Sequence, residues 1–253
     1  MDRTGEQYVT KYNERIQIIN YINSEKSDIL FLDYNWVEKD VSFDSIKKGS
    51  VRCPYTPTIY NIGFLGEDFY KYRNIKDLQQ YIIWRNMMKR CYCESAIKIG
   101  KSYGKVSVCK EWHNFTTFYK WYNENYYIVP NQKMCLDKDI RVKGANLYSK
   151  DTCIFVPEKI NLIFERMNKQ KRKDNGLPLG VRWIKADKIY AATCRIGKEN
   201  SLWLGRSHSV EECFNRYKKC KEGYIKQVAN EFKEYMPTYV YDIIINYNIE
   251  ITD

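Results

Sequence analysis

The period of the apolar residues changes repeatedly along this chain, which excludes one continuous sheet or one helical bundle as its fold. From Arg15 to Val51 the apolar residues come in short runs: Ile16 with Ile18-Ile19, then Ile29 to Leu32, then Val41 and Phe43. Gln, Asn, Ser, Lys and Asp separate them, and the pattern predicts a small β module. Cys53-Pro54-Tyr55-Thr56-Pro57 breaks it, because neither proline can donate to a sheet, and Gly63 and Gly66 punctuate the loop that follows. From Asp77 the spacing becomes helical: Leu78, Ile82, Trp84, Met88 and Cys91, and later Trp112, Phe115, Phe118, Trp121 and Tyr122. Such aromatic stripes read as helix core rather than as platforms for bases.

Lys133 to Ile140 then reads as a strand, Arg141 to Asp151 as a polar loop, Thr152 to Val156 as a second strand and Pro157 to Met167 as a helix, with proline where a helix tolerates its missing N–H. A cationic linker, Lys169 to Lys173, leads to the turn signal Asp174-Asn175-Gly176. Beyond it Gly180 to Ile184, Tyr190 to Ile196 and Ser201 to Gly205 read as three short strands. Ser209 is expected to cap a helix from Val210 to about Lys221, with Glu211 and Glu212 facing its positive end. The fold class expected is α+β and modular: a β-rich module at 1–74, a helical region with a strand–loop–strand–helix core at 75–168, a three-stranded sheet carrying one helix at 177–235, and a tail at 236–253.

Lys and Arg number 42 against 31 Asp and Glu, a formal charge of +11. A polyanion that releases counterions on binding is the simplest partner for such an excess, and nucleic acid leads that class. The nine cysteines are odd in number and scattered, and only Cys91 and Cys93 lie close, one residue apart. That spacing argues against structural zinc and, with no signal peptide in evidence, for a reducing cytoplasm. No apolar run reaches the roughly 18 residues of a membrane span, so no membrane partner is expected.

A metal-dependent phosphodiesterase sets a hard cation against a phosphate oxygen, which takes carboxylate or amide oxygens. Asp137 near the end of the first strand and Asn161 in the first turns of the following helix supply one of each, and a ββα hairpin would fold them together. The residues around them form a long ordered set: Trp84, Met87, Arg90-Cys91-Tyr92, Val108-Cys109, Trp112, Phe115, Leu136 to Asp139, Tyr148-Ser149, Thr152-Cys153, Phe155 to Pro157 and Ile160-Asn161. In these the chain resembles the HNH endonuclease superfamily, in its phage group. The resemblance implies a ββα-metal core in which Asp137 and Asn161 hold one divalent cation, Mg2+ or Mn2+, without a small-molecule cofactor. Asn146 would match the middle asparagine of the motif, and Glu165, one turn after Asn161, is a further candidate ligand.

Where HNH enzymes usually carry the general-base histidine, this chain has Lys138. Lysine, with a pKa of about 10.4, grips a phosphate but is a poor base. Strand alternation would also put it on the face opposite Asp137 and Asp139, unless the strand ends there. Either Asp139 or a tyrosine such as Tyr148 activates the water, or the core no longer cleaves. His113, following Trp112 on an aromatic stripe, reads as a structural histidine.

Residues 177–221 carry Gly180-Val181-Arg182, Tyr190-Ala191-Ala192, Gly197-Lys198, Leu204-Gly205, Glu211 to Phe214 and Tyr217, and so resemble the AP2 domain. The resemblance implies a sheet laid in the major groove of double-stranded DNA. Arg182, Trp183, Lys185, Arg195, Lys198, Trp203 and Arg206 are then the contact candidates, because guanidinium groups bond a guanine edge bidentately and aromatic faces pack on sugar. The expectation is a sequence-targeting DNA endonuclease of homing type, in the cytoplasm of a bacterial host if phage-encoded. The alternative is a DNA-binding protein or regulator that keeps the nuclease scaffold without the activity. RNA binding would need splayed bases on exposed aromatics, and these aromatics read as buried.

Overall fold

The computed structural model describes residues 2–99, 105–171, 176–197 and 200–253. The architecture is mixed α+β, with several small sheets and, among the described residues, seven α-helices. Two compact units divide the chain, Met1–Glu124 and Asn125–Asp253. The division falls inside the span 75–168, so its helical part and its strand–loop–strand–helix part belong to different units.

The first unit opens with an antiparallel meander, β1 (Gln7–Val9), β2 (Arg15–Asn23), β3 (Lys26–Phe31) and β4 (Trp36–Val41), paired in that order. Alternation sets its register: Ile16 opposes Phe31 and Ile18 opposes Ile29, and all four are fully buried. The Asn23 side chain accepts from the N–H groups of Glu25 and Lys26, at 2.9 and 3.0 Å, and closes the β2–β3 turn. A short helix, α1 (Phe43–Lys47), capped by the Ser42 hydroxyl, drops Ile46 into the same core with Val41 and Cys53.

After a looped stretch come α2 (Gln79–Tyr92), α3 (Glu94–Ile99), the two-residue strand β5 (Ser107–Val108), a 3-10 turn at Lys110–His113 and α4 (Phe115–Asn125). The aromatic stripes are core, as their spacing predicts: Trp84, Phe115 and Phe118 are fully buried, and the Trp84 indole N–H donates to the Trp112 carbonyl at 2.7 Å. Ile82 departs from expectation. It is 47% exposed, because Tyr81, Trp84, Met87, Met88 and Cys91 already fill the inward face of α2.

In the second unit β6 (Met134–Asp137) pairs antiparallel with β8 (Ile154–Pro157), and α5 (Glu158–Lys171) starts at the residue after Pro157 and packs on both strands. Between them lies a loop holding β7 (Leu147–Tyr148). Several bounds differ from the sequence reading, and Pro157, expected to open the helix, closes β8 instead. Strand β6 stops at Asp137, not Ile140; β8 begins at Ile154, not Thr152; and α5 continues through Lys171, so part of the expected cationic linker is helical. The expected turn residues Asp174 and Asn175 lie outside the described residues.

The expected three strands are present as β9 (Val181–Ile184), β10 (Ile189–Ile196) and β11 (Asn200–Ser207), antiparallel with β10 central. The Ser209 hydroxyl accepts from the Glu212 N–H at 3.1 Å and starts α6. That helix runs Val210–Glu231, well past the expected end near Lys221. Ile225, Val228 and Ala229 in the added turns are buried, and this packing outweighs the low helix propensity of Gly223. In the tail, α7 (Thr238–Ile245) packs against α6 with Val240 and Ile244 fully buried. Among the described residues no helix is long and apolar enough to cross a membrane, and none of the nine cysteines forms a disulfide.

Candidate functional site

Asp137 is the last residue of β6, and it ends the strand itself. Its Oδ1 accepts from the backbone N–H groups of Asp139 and Ile140, both at 2.8 Å, the local turn that short Asx side chains make. Burial pushes the carboxyl above the ordinary Asp value of 3.8, against the opposing pull of those two N–H groups.

Because the strand stops at Asp137, alternation does not carry Lys138 to the far face. Its side chain is only 11% exposed, and Nζ donates to Asp139 Oδ1 and to the Ala145 carbonyl, each at 2.6 Å, with the buried Tyr148 ring 5.8 Å away. The ammonium expected to grip a phosphate is therefore engaged inside the loop, and the Asp139 carboxylate expected to serve as a base is its counterion. Asn161 sits half-buried in the first turns of α5, which packs on β6, so the structure puts the elements carrying Asp137 and Asn161 side by side. Asn146 and Glu165 are exposed. His113 belongs to the first unit, where its Nε2 lies 3.1 Å from the Val108 carbonyl and 3.4 Å from the Tyr92 hydroxyl, the satisfied structural role read from its context.

A cation at Asp137 would draw on that carboxylate and, from the helix packed on β6, on the Asn161 amide oxygen. Among the described residues no group of three His, Cys, Asp or Glu could hold a metal. A hard, oxygen-loving ion of the magnesium kind still fits such a sparse set, since it commonly keeps one or two carboxylates and fills its shell with water and phosphate oxygens.

The second cluster lies on the sheet. Register sets Arg182 opposite Ala191 and Ala191 opposite Arg206, a row across all three strands, with Thr193 opposite Trp203 on the other side of a bulge in the β10–β11 pairing. Strand alternation gives this row and Trp203 one face, and gives Ala192 and Cys194, both fully buried, the face on which α6 packs. Trp203 is 49% exposed, and its ring has the Arg182 guanidinium 5.3 Å away and the Arg206 guanidinium 5.5 Å away. With Trp183 and Ile184 they line a shallow concavity of about 550 Å³.

Asp187, in the β9–β10 turn, holds Arg206 at 2.5 Å. Trp183 stacks on Tyr190, ring centres 4.7 Å apart, and Lys185 and Arg195 are exposed at opposite ends of the sheet. Lys198 lies outside the described residues. Gly180 sets the entry to β9: at φ +77° it passes so close to Tyr217 that a Cβ would meet the ring at 2.0 Å.

Sequence reasoning missed the residues that brace this sheet from below. Arg166 of α5 donates to the Gly197 carbonyl, the Gly197 N–H donates to the Tyr224 hydroxyl at 2.9 Å, and Lys221 donates to the Arg195 carbonyl. Lys221 is only 5% exposed, and burial pulls its pKa down. No local pattern marks these three, because all act through partners distant in sequence. Comparison with protein-family models, with curated proteins and with solved structures found no match for the chain.

Proposed function

We propose that this protein binds double-stranded DNA through the outer face of the β9–β10–β11 sheet, in the manner that its AP2 resemblance implies. The observation that carries this reading is the exposed indole of Trp203 with two guanidinium groups within 5.5 Å of its ring centre. An aromatic plane beside two forked cations suits sugar and phosphate, and lets either arginine reach a base edge. The +11 charge of the chain supplies the non-specific attraction. Gel shifts or anisotropy with duplex DNA test it. Salt-sensitive binding that weakens in Arg182→Ala and Trp203→Ala is expected, and binding indifferent to both substitutions refutes the sheet as the contact.

A second reading is favoured by one specific observation, the packing of the helix that bears Asn161 on the strand that ends in Asp137. In that reading the protein is a sequence-targeting DNA endonuclease, nicking or cutting both strands with one divalent cation, Mg2+ or Mn2+, in a degenerate HNH-like core, and the sheet delivers the target. The cation would supply Lewis-acid stabilisation of the phosphate. Asp137 and Asn161 would hold it, while Lys138 and Asp139, bonded to each other, would shape the loop. Supercoiled plasmid incubated with the protein and Mg2+ or Mn2+, beside EDTA and Asp137→Asn controls, decides it. Nicking that requires both cation and Asp137 supports the endonuclease. Intact plasmid together with tight binding leaves a DNA-binding protein built on a nuclease scaffold.

A further inference from the structure

We propose that the outer face of α2, in the other unit, is a second contact for duplex DNA, directed at the phosphate backbone through Arg85 and Lys89; it rests on the reading of DNA as the partner. The helix has 14 residues and no carboxylate. One side is spent on the core through Tyr81, Trp84, Met87, Met88 and Cys91. The other presents Ile82, Arg85, Asn86 and Lys89, all exposed, at the i, i+3, i+4, i+7 spacing of a single face.

Three features describe this face. Of the other exposed cations of the same unit, some are answered by acids, as Arg15 by Asp33, Lys48 by Asp44 and Lys120 by Asp68, and others, such as Lys26 and Lys47, are not. The side chains of Arg85 and Lys89 have no ion-pair or hydrogen-bond partner among the described residues. The helix dipole explains a cation in the last turn, where Lys89 lies, but not one at mid-helix, where Arg85 lies. Ile82, 47% exposed with no core to serve, stands one turn before Arg85 on the same face.

Two cations about 6 Å apart along a helix axis, without an intervening acid, present a local positive field that a phosphate backbone complements. An anionic lipid surface is the competing occupant. A helix that lies in a membrane interface needs a row of large apolar residues opposite its cations. Here the side opposite is inside the protein core, and only Ile82 accompanies the cations, so DNA is the better fit.

The test measures duplex affinity of the full chain across a range of KCl for wild type, Arg85→Gln/Lys89→Gln and a control, Lys26→Gln/Lys47→Gln, which removes two exposed cations from β3 and α1. Unchanged circular dichroism and Tm show that the variants fold. The slope of log affinity against log salt is expected to fall by roughly two in the α2 variant, one per phosphate contact, and to stay put in the control. An equal slope in wild type and the α2 variant, or an equal drop in the control, overturns the inference and leaves the sheet reading standing. Binding of the wild type to phosphatidylserine vesicles, lost in the α2 variant while the DNA slope holds, also overturns it in favour of a lipid surface. A wild type that binds no duplex at low salt overturns the DNA reading itself, and this inference with it.

Discussion

The guanidinium carbon of Arg182 lies 5.3 Å from the centre of the Trp203 indole, and no ion pair competes for it among the described residues. The indole thus gives the arginine a resting place, which on the proposed reading it would leave to meet DNA. Removing it frees Arg182 and loosens Arg206, which Asp187 still holds. Each exposed cation–π contact is worth about 0.5–1 kcal/mol, so Trp203→Ala, which removes two, is expected to weaken duplex binding by about five- to thirtyfold. Trp203→Phe keeps a face and loses less. Anisotropy titrations at fixed salt measure both.

Gly180 is where the chain slips past Tyr217 to begin β9, and no L side chain fits at φ +77° with a ring 2.0 Å from its Cβ. Gly180→Ala is expected to destabilise the second unit by about 3 kcal/mol or more through overpacking and backbone strain. Urea denaturation followed by tryptophan fluorescence reads the loss. DNA affinity should fall with it, since Arg182 is two residues away.

Asp137 has a structural duty apart from any catalytic one. Asp137→Ala removes the acceptor for two N–H groups at the end of β6 and is expected to cost about 1–3 kcal/mol. Asp137→Asn keeps an oxygen there and should cost much less, which makes it the cleaner probe of metal binding. If the cation binds as proposed, Mg2+ or Mn2+ raises the Tm of wild type but not of Asp137→Asn. Equal shifts in both would remove Asp137 from the ligand set.

Lys221 gives the protein a defined alkaline response. Its folded pKa lies below the ordinary 10.5, so the unfolded chain binds more protons between the lowered value and 10.5, and stability rises with pH across that window. Below the lowered value the full cost of burying the charge is present; above 10.5 it is gone. In Lys221→Met that slope is expected to disappear. Denaturant titrations from neutral pH to above 10 compare the two, and parallel curves would refute the assignment.

Local chemistry carried much of this structure in the sequence itself. Ile16, Ile18, Ile29 and Phe31 alternate as a half-buried sheet must, and Ser209 with Glu212 marks a helix start. The spacing of Trp112, Phe115, Phe118 and Tyr122 marks a buried stripe. What could not be read depends on partners far along the chain. Lys221 looks like any solvated helix cation until Arg195 and the sheet cover it. Ile82 looks like core until Tyr81, Trp84, Met87, Met88 and Cys91 take the inward face. Asp137 shows the subtler failure: its pattern gave a longer strand, yet a carboxylate that bonds two following amides stops the ladder where it stands. The proximity of the Asp137 and Asn161 elements followed from the order of elements; the capture of Lys138 by Asp139 and Ala145 did not.

Helix α6 extends for 22 residues, about 33 Å, and its middle holds the tail: Lys218 bonds the Asn248 side chain and the Ile249 carbonyl, while Glu222 takes the Ile249 N–H at 2.8 Å. The segment that carries the AP2 resemblance, residues 177–221, would be severed in mid-helix, without the packing of Val240 and Ile244 of α7 on α6. Anyone transplanting this sheet into another protein would have to carry the chain through Asp253, and would also need Arg166 from the preceding helix to hold the hairpin tip in place.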